Sequence, residues 1–536
     1  MSREGRREWI TPVAVAALAA LVALPSLWNQ FVYDDVQVLV ENRLVHSLGS
    51  APEIWTSSYW PVGMLYRPLT IQIFSLEWAL GGGRPMLFHA VSILLSALTT
   101  FLVWKLARRV MIVSAGESQI AGSLAPWLPA VLFAVHPVHV ETVANVVGQS
   151  ELLAALFTLL AVERYLAWRT EGSFGPGRRA ALAGLTILAI LSKETGYITP
   201  LLMVVAELTL FRSPRGGTVP VFGLQGGAVI ASLLVRLGVL GSLAGETPAA
   251  ALSGLRFSER AIGMLAVVPE WARLLFWPAH LQGEYGPPAL PLVGGPAGAR
   301  VLGLVILIVA AVILVWLWRR WKPAAFAVLW VAVTIFPVSN LLAPTGIVLA
   351  ERTLFLPSVG AVLLIGGIGT LIAALPRPLS LAAAALGVGV IVTAGIRSAE
   401  RAVVWRTQEA FFTNLQEEAP RTYRAHQVAS RFYYGERRYP EAERAARRAL
   451  ELYRGDVNVH AQLGQVLRTQ GRCAEAIPVL AEGVEMAPTE TTVRSRLIEC
   501  SLAVGDTARA KRAAEEAVAA GQTEFSATLK RLGGTR

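Results

Sequence analysis

The chain has 536 residues, of which 54% are hydrophobic and only 16% charged, and its mean hydropathy is +0.51. That balance excludes an ordinary soluble protein and points to a multi-span membrane protein. The formal net charge of +11 does not imply a nucleic-acid partner, because the basic residues fall in short clusters between apolar runs, as cytoplasmic loop charges do.

Arg3, Arg6 and Arg7 precede an apolar run from Ile10 to about Leu27. No small-residue cleavage site follows it, and the run is about long enough to span. It reads as an uncleaved first helix with its N-terminus inside. Tyr33 to about Pro85 then lies outside. This segment opens with Tyr33-Asp34-Asp35, whose aspartates are the only ones before Asp456. Two adjacent carboxylates just beyond a helix end can divide the work of general base and of binding a metal or a hydroxyl. A solvated acidic turn is the plain alternative. Trp55, Tyr59, Trp60 and Tyr66-Arg67-Pro68 follow, aromatics suited to a segment lying at the interface.

Further spans are expected over about 86–104, 124–134, 152–166, 180–191, 198–210 and 219–239. A long outside loop follows, with an amphipathic piece at 270–277. Spans at about 301–318, 324–336, 354–374 and 379–396 come next. Arg108 and Arg109, Arg178 and Arg179, and Arg319-Arg320 mark the inside ends. This makes about eleven spans, with the two chain ends on opposite sides.

Beyond Arg397 the composition changes to Glu, Arg, Ala and Gln, and a period of 34 residues appears. Ala442, Ala476 and Ala510 are in register, as are His426, His460 and Arg494. About three repeats with tetratricopeptide spacing are expected over 422–521, a concave surface for peptides or proteins. Cys473 and Cys500 fit no metal motif and are expected to be unpaired helix residues, although a disulfide would form if this region is outside the cytoplasm.

Ionisable residues at membrane depth are costly and suggest function. Besides the acidic pair, Arg67, His136, His139, Glu141, Glu151, Lys193, Glu194, Glu351 and Arg352 all stand at outside ends of expected spans. Arg and Lys can hold a phosphate, and carboxylates can act as base or bind metal. His136 and His139, three apart, fit one face of a helical turn, with hydrogen-bonding roles favoured over metal ligation. Lys193-Glu194 and Glu351-Arg352 can each be read as simple ion pairs, and Arg67 as an interfacial snorkel.

Several motifs together resemble the transmembrane and tetratricopeptide-repeat-containing family. They are Phe31-Val32-Tyr33-Asp34-Asp35, Tyr66-Arg67-Pro68-Leu69-Thr70, Phe88-His89, His136-Pro137-Val138-His139-Val140-Glu141, Asn145-Val146-Val147-Gly148-Gln149-Ser150-Glu151, Ser192-Lys193-Glu194-Thr195-Gly196 and Ala350-Glu351-Arg352-Thr353-Leu354. The resemblance covers nearly the whole chain. It implies an all-α class C glycosyltransferase fold over 1–396, a connecting helix or linker over 397–421, repeats over 422–521 and a tail over 522–536. It also implies sugar transfer from a polyprenyl-phosphate sugar to protein hydroxyls, with Asp34 and Asp35 as the catalytic pair. The family usually has Arg-Ala before the acidic residue after Val-Gly, where this chain has Gln149-Ser150. The Ala-, Arg- and Gly-rich composition has a bacterial character, which makes the expected lipid undecaprenyl phosphate.

On that reading one of Asp34 and Asp35 deprotonates a Ser or Thr acceptor. Arg67, Lys193 and Arg352 stabilise the leaving phosphate. Tyr33, His136, His139, Glu141, Glu151, Glu194 and Glu351 complete the substrate-binding set. The repeats hold the acceptor polypeptide. No cofactor is identified with certainty, a divalent metal is left open, and the lipid-linked sugar is a substrate. The expected location is the inner membrane, with the N-terminus cytoplasmic and the repeats periplasmic. The alternatives are a membrane-anchored repeat scaffold without enzymatic activity, and a lipid-linked sugar transporter or ligase.

Overall fold

A computed structural model describes residues 3–60, 64–116, 125–211, 217–243 and 248–533, with side chains described from Pro12 onward. The elements among these residues are all helical, apart from an isolated bridge between Pro288 and Thr422. The chain divides into two compact units.

The first unit is the membrane unit. Its main helices are α1 (Arg3–Ala23), α2 (Pro68–Gly81), α3 (Pro85–Ala115), α4 (Trp127–Val135), α5 (Gln149–Glu171), α6 (Pro176–Ser192), α7 (Thr199–Leu210), α8 (Thr218–Leu240), α9 (Val268–Phe276), α10 (Ala297–Arg320), α11 (Lys322–Ile335), α12 (Phe355–Ala373) and α13 (Arg377–Val404). Six helical segments are long and apolar enough to cross a bilayer: 85–115, 146–171, 218–240, 297–320, 351–373 and 377–404. A seventh candidate is α4 joined to Pro137–Ala144, bent by 53°.

About eleven spans are expected from the sequence, and the difference has a geometric cause. At 1.5 Å per residue, the 12 residues of α7 reach roughly 18 Å, short of a hydrocarbon core of about 30 Å. Pro12–Trp28 and Lys322–Val338 are likewise apolar but short. The last helix also continues past the expected Ile396 to Val404.

The core of this unit forms where α3 packs on α5 and α11 on α12. Val103, Leu106, Leu159, Tyr165, Trp330 and Phe355 are buried there. The segment after Tyr33 packs inward on the protein. Val38, Leu39, Ile54, Tyr59, Leu65 and Phe74 form a second core with Phe88, Val146 and Val147. Tyr59 is only 2% exposed. Burying these apolar side chains holds the first loop against the turn after Glu141, each fully buried aromatic or aliphatic residue contributing about 1.5–3 kcal/mol.

The second unit contains three helix pairs that begin at Tyr423, Val457 and Thr491, with second helices at Tyr439, Cys473 and Thr507. Each series steps by the 34 residues of the sequence period. We label them α14 (Tyr423–Gly435), α15 (Tyr439–Leu452), α16 (Val457–Thr469), α17 (Cys473–Met486), α18 (Thr491–Ala503) and α19 (Thr507–Ala519). Small residues let paired helices approach: a Cβ at Gly464 would sit 2.3 Å from Leu480. Pro248–Leu255 and Gln282–Pro296 belong to this unit as well, and the Tyr423 amide donates to the Pro287 carbonyl at 3.1 Å.

Cys473 and Cys500 are disulfide-bonded, which corrects the expectation of unpaired residues. The 34-residue repeat places the start of α17 beside α18, and their Cα atoms lie 4.9 Å apart, inside the range that a bridge requires. The bridge joins residues separated by 27 positions. Replacing both cysteines by Ala is expected to lower the stability of this unit by about 2–4 kcal/mol, measured as a shifted denaturation midpoint. No change in midpoint would show that the bridge adds nothing.

Candidate functional site: a carboxylate pair and its cations

Tyr33, just before the acidic pair, adopts φ 59°, and Asp34 and Asp35 follow it on one helical turn. That left-handed conformation is costly for a bulky residue and occurs where the surroundings enforce it. Here the Tyr33 ring stacks on Phe411, with centroids 5.3 Å apart.

Asp35 is fully buried. One carboxylate oxygen accepts from the Val32 amide at 3.3 Å and the Val146 amide at 3.2 Å, and the other from the Val147 amide at 2.8 Å. Burial pushes the pKa of its carboxyl up to about 7, against the pull of these backbone donors. Gly148 makes the turn that supplies them: a Cβ there would stand 2.2 Å from the Thr142 carbonyl oxygen, so no larger residue permits this approach.

Asp34 is placed differently. Its side chain is 19% exposed, and its carboxylate lies 3.4 Å from Arg352 Nη1. The same Nη1 reaches Glu141 at 2.8 Å, and the Arg352 backbone amide donates to the other Glu141 oxygen at 2.9 Å. Three segments distant in sequence therefore meet around one guanidinium.

Arg67 pairs with Glu194 at 2.7 Å, so it is an enclosed ion-pair partner rather than an interfacial snorkel. Its guanidinium also lies 4.8 Å from the centre of the Tyr59 ring. Arg236 joins the same carboxylate at 3.4 Å and donates to the Met64 carbonyl at 2.7 Å. Lys193 pairs across to Glu151, which corrects the reading of Lys193-Glu194 as a pair. Adjacent residues on the turn point apart, and each finds a partner on another helix. Gly196 permits that turn, since a Cβ there would meet the Ala189 carbonyl carbon at 2.3 Å.

Arg67 and Arg352 both lie within electrostatic reach of Lys193 and of Tyr59. Tyr59 also feels Asp34 and Asp35, and burial raises its phenol above the ordinary range, so it remains neutral. The structure thus brings Tyr59, Asp34, Asp35, Arg67, Lys193 and Arg352 into one neighbourhood, with Glu141, Glu151 and Glu194 as partners of the cations.

His136 and His139 stand apart from that group in their contacts. His136 Nε2 bonds the Leu275 carbonyl at 3.1 Å, and its Nδ1 accepts from the Val138 amide at 3.3 Å. His139 Nε2 bonds Ser358 Oγ at 2.8 Å. These bonds fix α9 and α12 to the turn between the bent helices. Glu351 is buried in the turn that precedes α12. Among the described residues, no three of His, Cys, Asp and Glu converge to hold a metal ion.

Two participants are absent from the sequence-derived set. Arg236 is the lone ionisable residue of the run 219–239, and an ionisable residue in an apolar run is itself a signal. Tyr59 carries no such signal, being one aromatic among several. The buried ionisable residues are not confined to one end of the helices: Glu151 and Glu163 lie toward opposite ends of α5. Glu163 lies 3.8 Å from Lys105 and 3.7 Å from Arg109, and Glu207 lies 2.7 Å from Arg169.

The chain is similar to protein O-mannosyl-transferases. It is 27% identical to protein O-mannosyl-transferase TMTC1 of Homo sapiens over 515 residues, covering 86% of this chain and 57% of that protein. It is 28% identical to TMTC4 of Homo sapiens over 464 residues, covering 77% and 62%, and 25% identical to TMTC3 of Mus musculus over 523 residues, covering 88% and 55%. The matched part amounts to 55–62% of the length of these curated relatives. No family model matches the chain.

Proposed function

We propose that this chain, whose curated relatives are protein O-mannosyl-transferases, is a membrane glycosyltransferase. It moves a mannose-like sugar from a polyprenyl-phosphate sugar to a Ser or Thr hydroxyl of a polypeptide on the extracytoplasmic face. The observation that carries this reading is the division of labour between the two aspartates. Asp35 is locked by three backbone amides, whereas Asp34 keeps a partly open carboxylate beside Arg352.

In the proposed step Asp34 accepts the acceptor's hydroxyl proton as that oxygen attacks the anomeric carbon. The new glycosidic C–O bond forms on one face while the bond to the phosphate oxygen breaks on the other, inverting the centre. The lipid phosphate leaves with the electron pair. Arg67, Arg236, Lys193 and Arg352 are fixed cations where that charge develops, and preorganised charges in an enclosed site act most strongly. Asp35 is a positioning residue. Through Val32, Val146 and Val147 it sets the turn from which Asp34 projects.

Two features support the extracytoplasmic side. The Cys473–Cys500 bridge suits an oxidising compartment. The loop between α8 and α10 contributes Pro248–Leu255 and Gln282–Pro296 to the repeat-bearing unit, so chain connectivity favours one side for that loop and the repeats. The inner membrane, a cytoplasmic N-terminus and acceptor capture by the helix pairs complete the reading.

The test is reconstitution of the full chain in liposomes with polyprenyl-phosphate mannose and a Ser/Thr-rich secreted polypeptide, read by mass spectrometry for hexose on hydroxyl residues. Hexose that disappears in Asp34→Asn supports the proposal. A folded wild type that adds no sugar from any polyprenyl-phosphate donor refutes it.

Tyr59 offers a second check. Its hydroxyl is buried with no hydrogen-bond partner among the described residues, an arrangement that costs about 1–3 kcal/mol. Tyr59→Phe is expected to keep or raise the melting temperature and to slow transfer at least ~10-fold, because the neutral phenol lies beside Arg67 and within electrostatic reach of Asp34 and Arg352. Unchanged transfer would remove Tyr59 from the site.

A further inference from the structure

The second unit contains a cavity of about 260 Å³ that the sugar-transfer step does not use, lined by Gln416, His426, Tyr433, Glu441, Arg444 and Arg448. Its floor is built. Tyr433 is 7% exposed, its hydroxyl accepts from Gln416 Nε2 at 3.0 Å, and its ring is covered by Arg438 at 4.7 Å. His426 is 8% exposed and its Nε2 bonds the Pro420 carbonyl at 3.1 Å. Burial holds its pKa below the ordinary range, so the ring is neutral and the charge of the cavity comes from elsewhere.

That charge is positive. Arg444 and Arg448 stand one turn apart on the same face of α15, the (i, i+4) spacing that makes them neighbours. Arg448 has an exposed partner, Glu451, at 3.2 Å, with side chains 48% and 65% exposed. Such a pair is solvated and weak, so an incoming carboxylate can replace it. The one acidic lining residue, Glu441, already pairs with Arg438 at 3.1 Å.

We propose that this cavity is a docking site for an acidic side chain of a polypeptide, taken by Arg444 and Arg448 over the Tyr433–Gln416 floor. Guanidinium forks match a carboxylate bidentately, and paired arginines are a recurring means of reading acidic motifs. The volume fits about one or two side chains rather than a folded domain. A stacked helix-pair surface is suited to an extended peptide. The inference rests on the transferase reading for its occupant: the polypeptide is the acceptor, and Ser/Thr segments carrying Glu or Asp are preferred.

The experiment uses the full chain in nanodiscs and three fluorescein-labelled synthetic peptides rich in Ser and Thr, alike except that they carry Glu, Gln or Lys at the same positions. The Glu peptide is expected to bind about 10-fold more tightly than the Gln peptide, with the Lys peptide weakest, and the advantage should shrink as salt rises. Arg444→Glu with Arg448→Glu should abolish the preference, while Arg512→Glu, on α19, should preserve it. Equal binding of Glu and Gln peptides overturns the proposal. So does a reversal variant that keeps the preference, or arginines that serve only to bind phosphatidylglycerol vesicles. Asp34→Asn should keep the peptide preference with no transfer, so failure of this site and failure of the transferase reading give different results.

Discussion

Asp34→Asn is expected to lower sugar transfer by about 10³-fold while leaving insertion and thermal stability within about 1 kcal/mol of wild type. The first figure follows from the loss of a positioned general base, worth typically 10²–10⁴, or about 4 kcal/mol of barrier. The second follows from geometry. The amide side chain has the same size as the carboxylate, the position is partly open, and Arg352 would keep its closer partner, Glu141, at 2.8 Å. Asp35→Asn should behave in the opposite way. An amide presents one acceptor oxygen and one donor group to a site where both oxygens now receive backbone amides. It sets one N–H against another, so stability should fall by about 1–3 kcal/mol, and transfer with it. The pair of measurements separates a reacting carboxylate from a positioning one. Retention of more than about a tenth of wild-type transfer in a folded Asp34→Asn protein would remove Asp34 as the base.

Most of these groups are legible in the sequence, but their connections are not. Adjacent acidic residues after an apolar helix, and ionisable residues at helix ends, are visible because their cost in a membrane makes them conspicuous. The repeat period is visible because small residues recur where paired helices touch. Partners are hidden. Arg352 meets Glu141 across 211 positions, Lys193 meets Glu151 across 42, and neither separation has a local signature. The different surroundings of Asp34 and Asp35 are also hidden in sequence, since the amides that hold Asp35 come from a distant turn that Gly148 lets approach Thr142. Hydropathy registers apolar length and is blind to how short or bent a helix is, as at the 53° break after α4.

Lys193→Met is expected to destabilise the protein by about 3–5 kcal/mol, because it leaves the buried Glu151 carboxylate without its cation. The double variant Lys193→Met with Glu151→Leu should recover most of that loss. Replacing both members of a buried pair by apolar groups of similar volume is often neutral. Transfer provides the deciding readout. If Lys193 serves only to tie α6 to α5, the double variant regains activity along with its melting temperature. If its charge also stabilises the departing lipid phosphate, the double variant folds and still transfers at least ~10-fold more slowly, since a fixed cation in a dry site is worth more than about 1.4 kcal/mol to a developing anion. We expect the second result, because Arg67 and Arg352 lie within electrostatic reach of Lys193. Each of the three cations is held by a carboxylate, Glu194, Glu151 and Glu141, so their positions are fixed before charge develops on a departing phosphate. Full recovery of both stability and transfer would reduce Lys193 to a structural tie and leave the phosphate to the arginines.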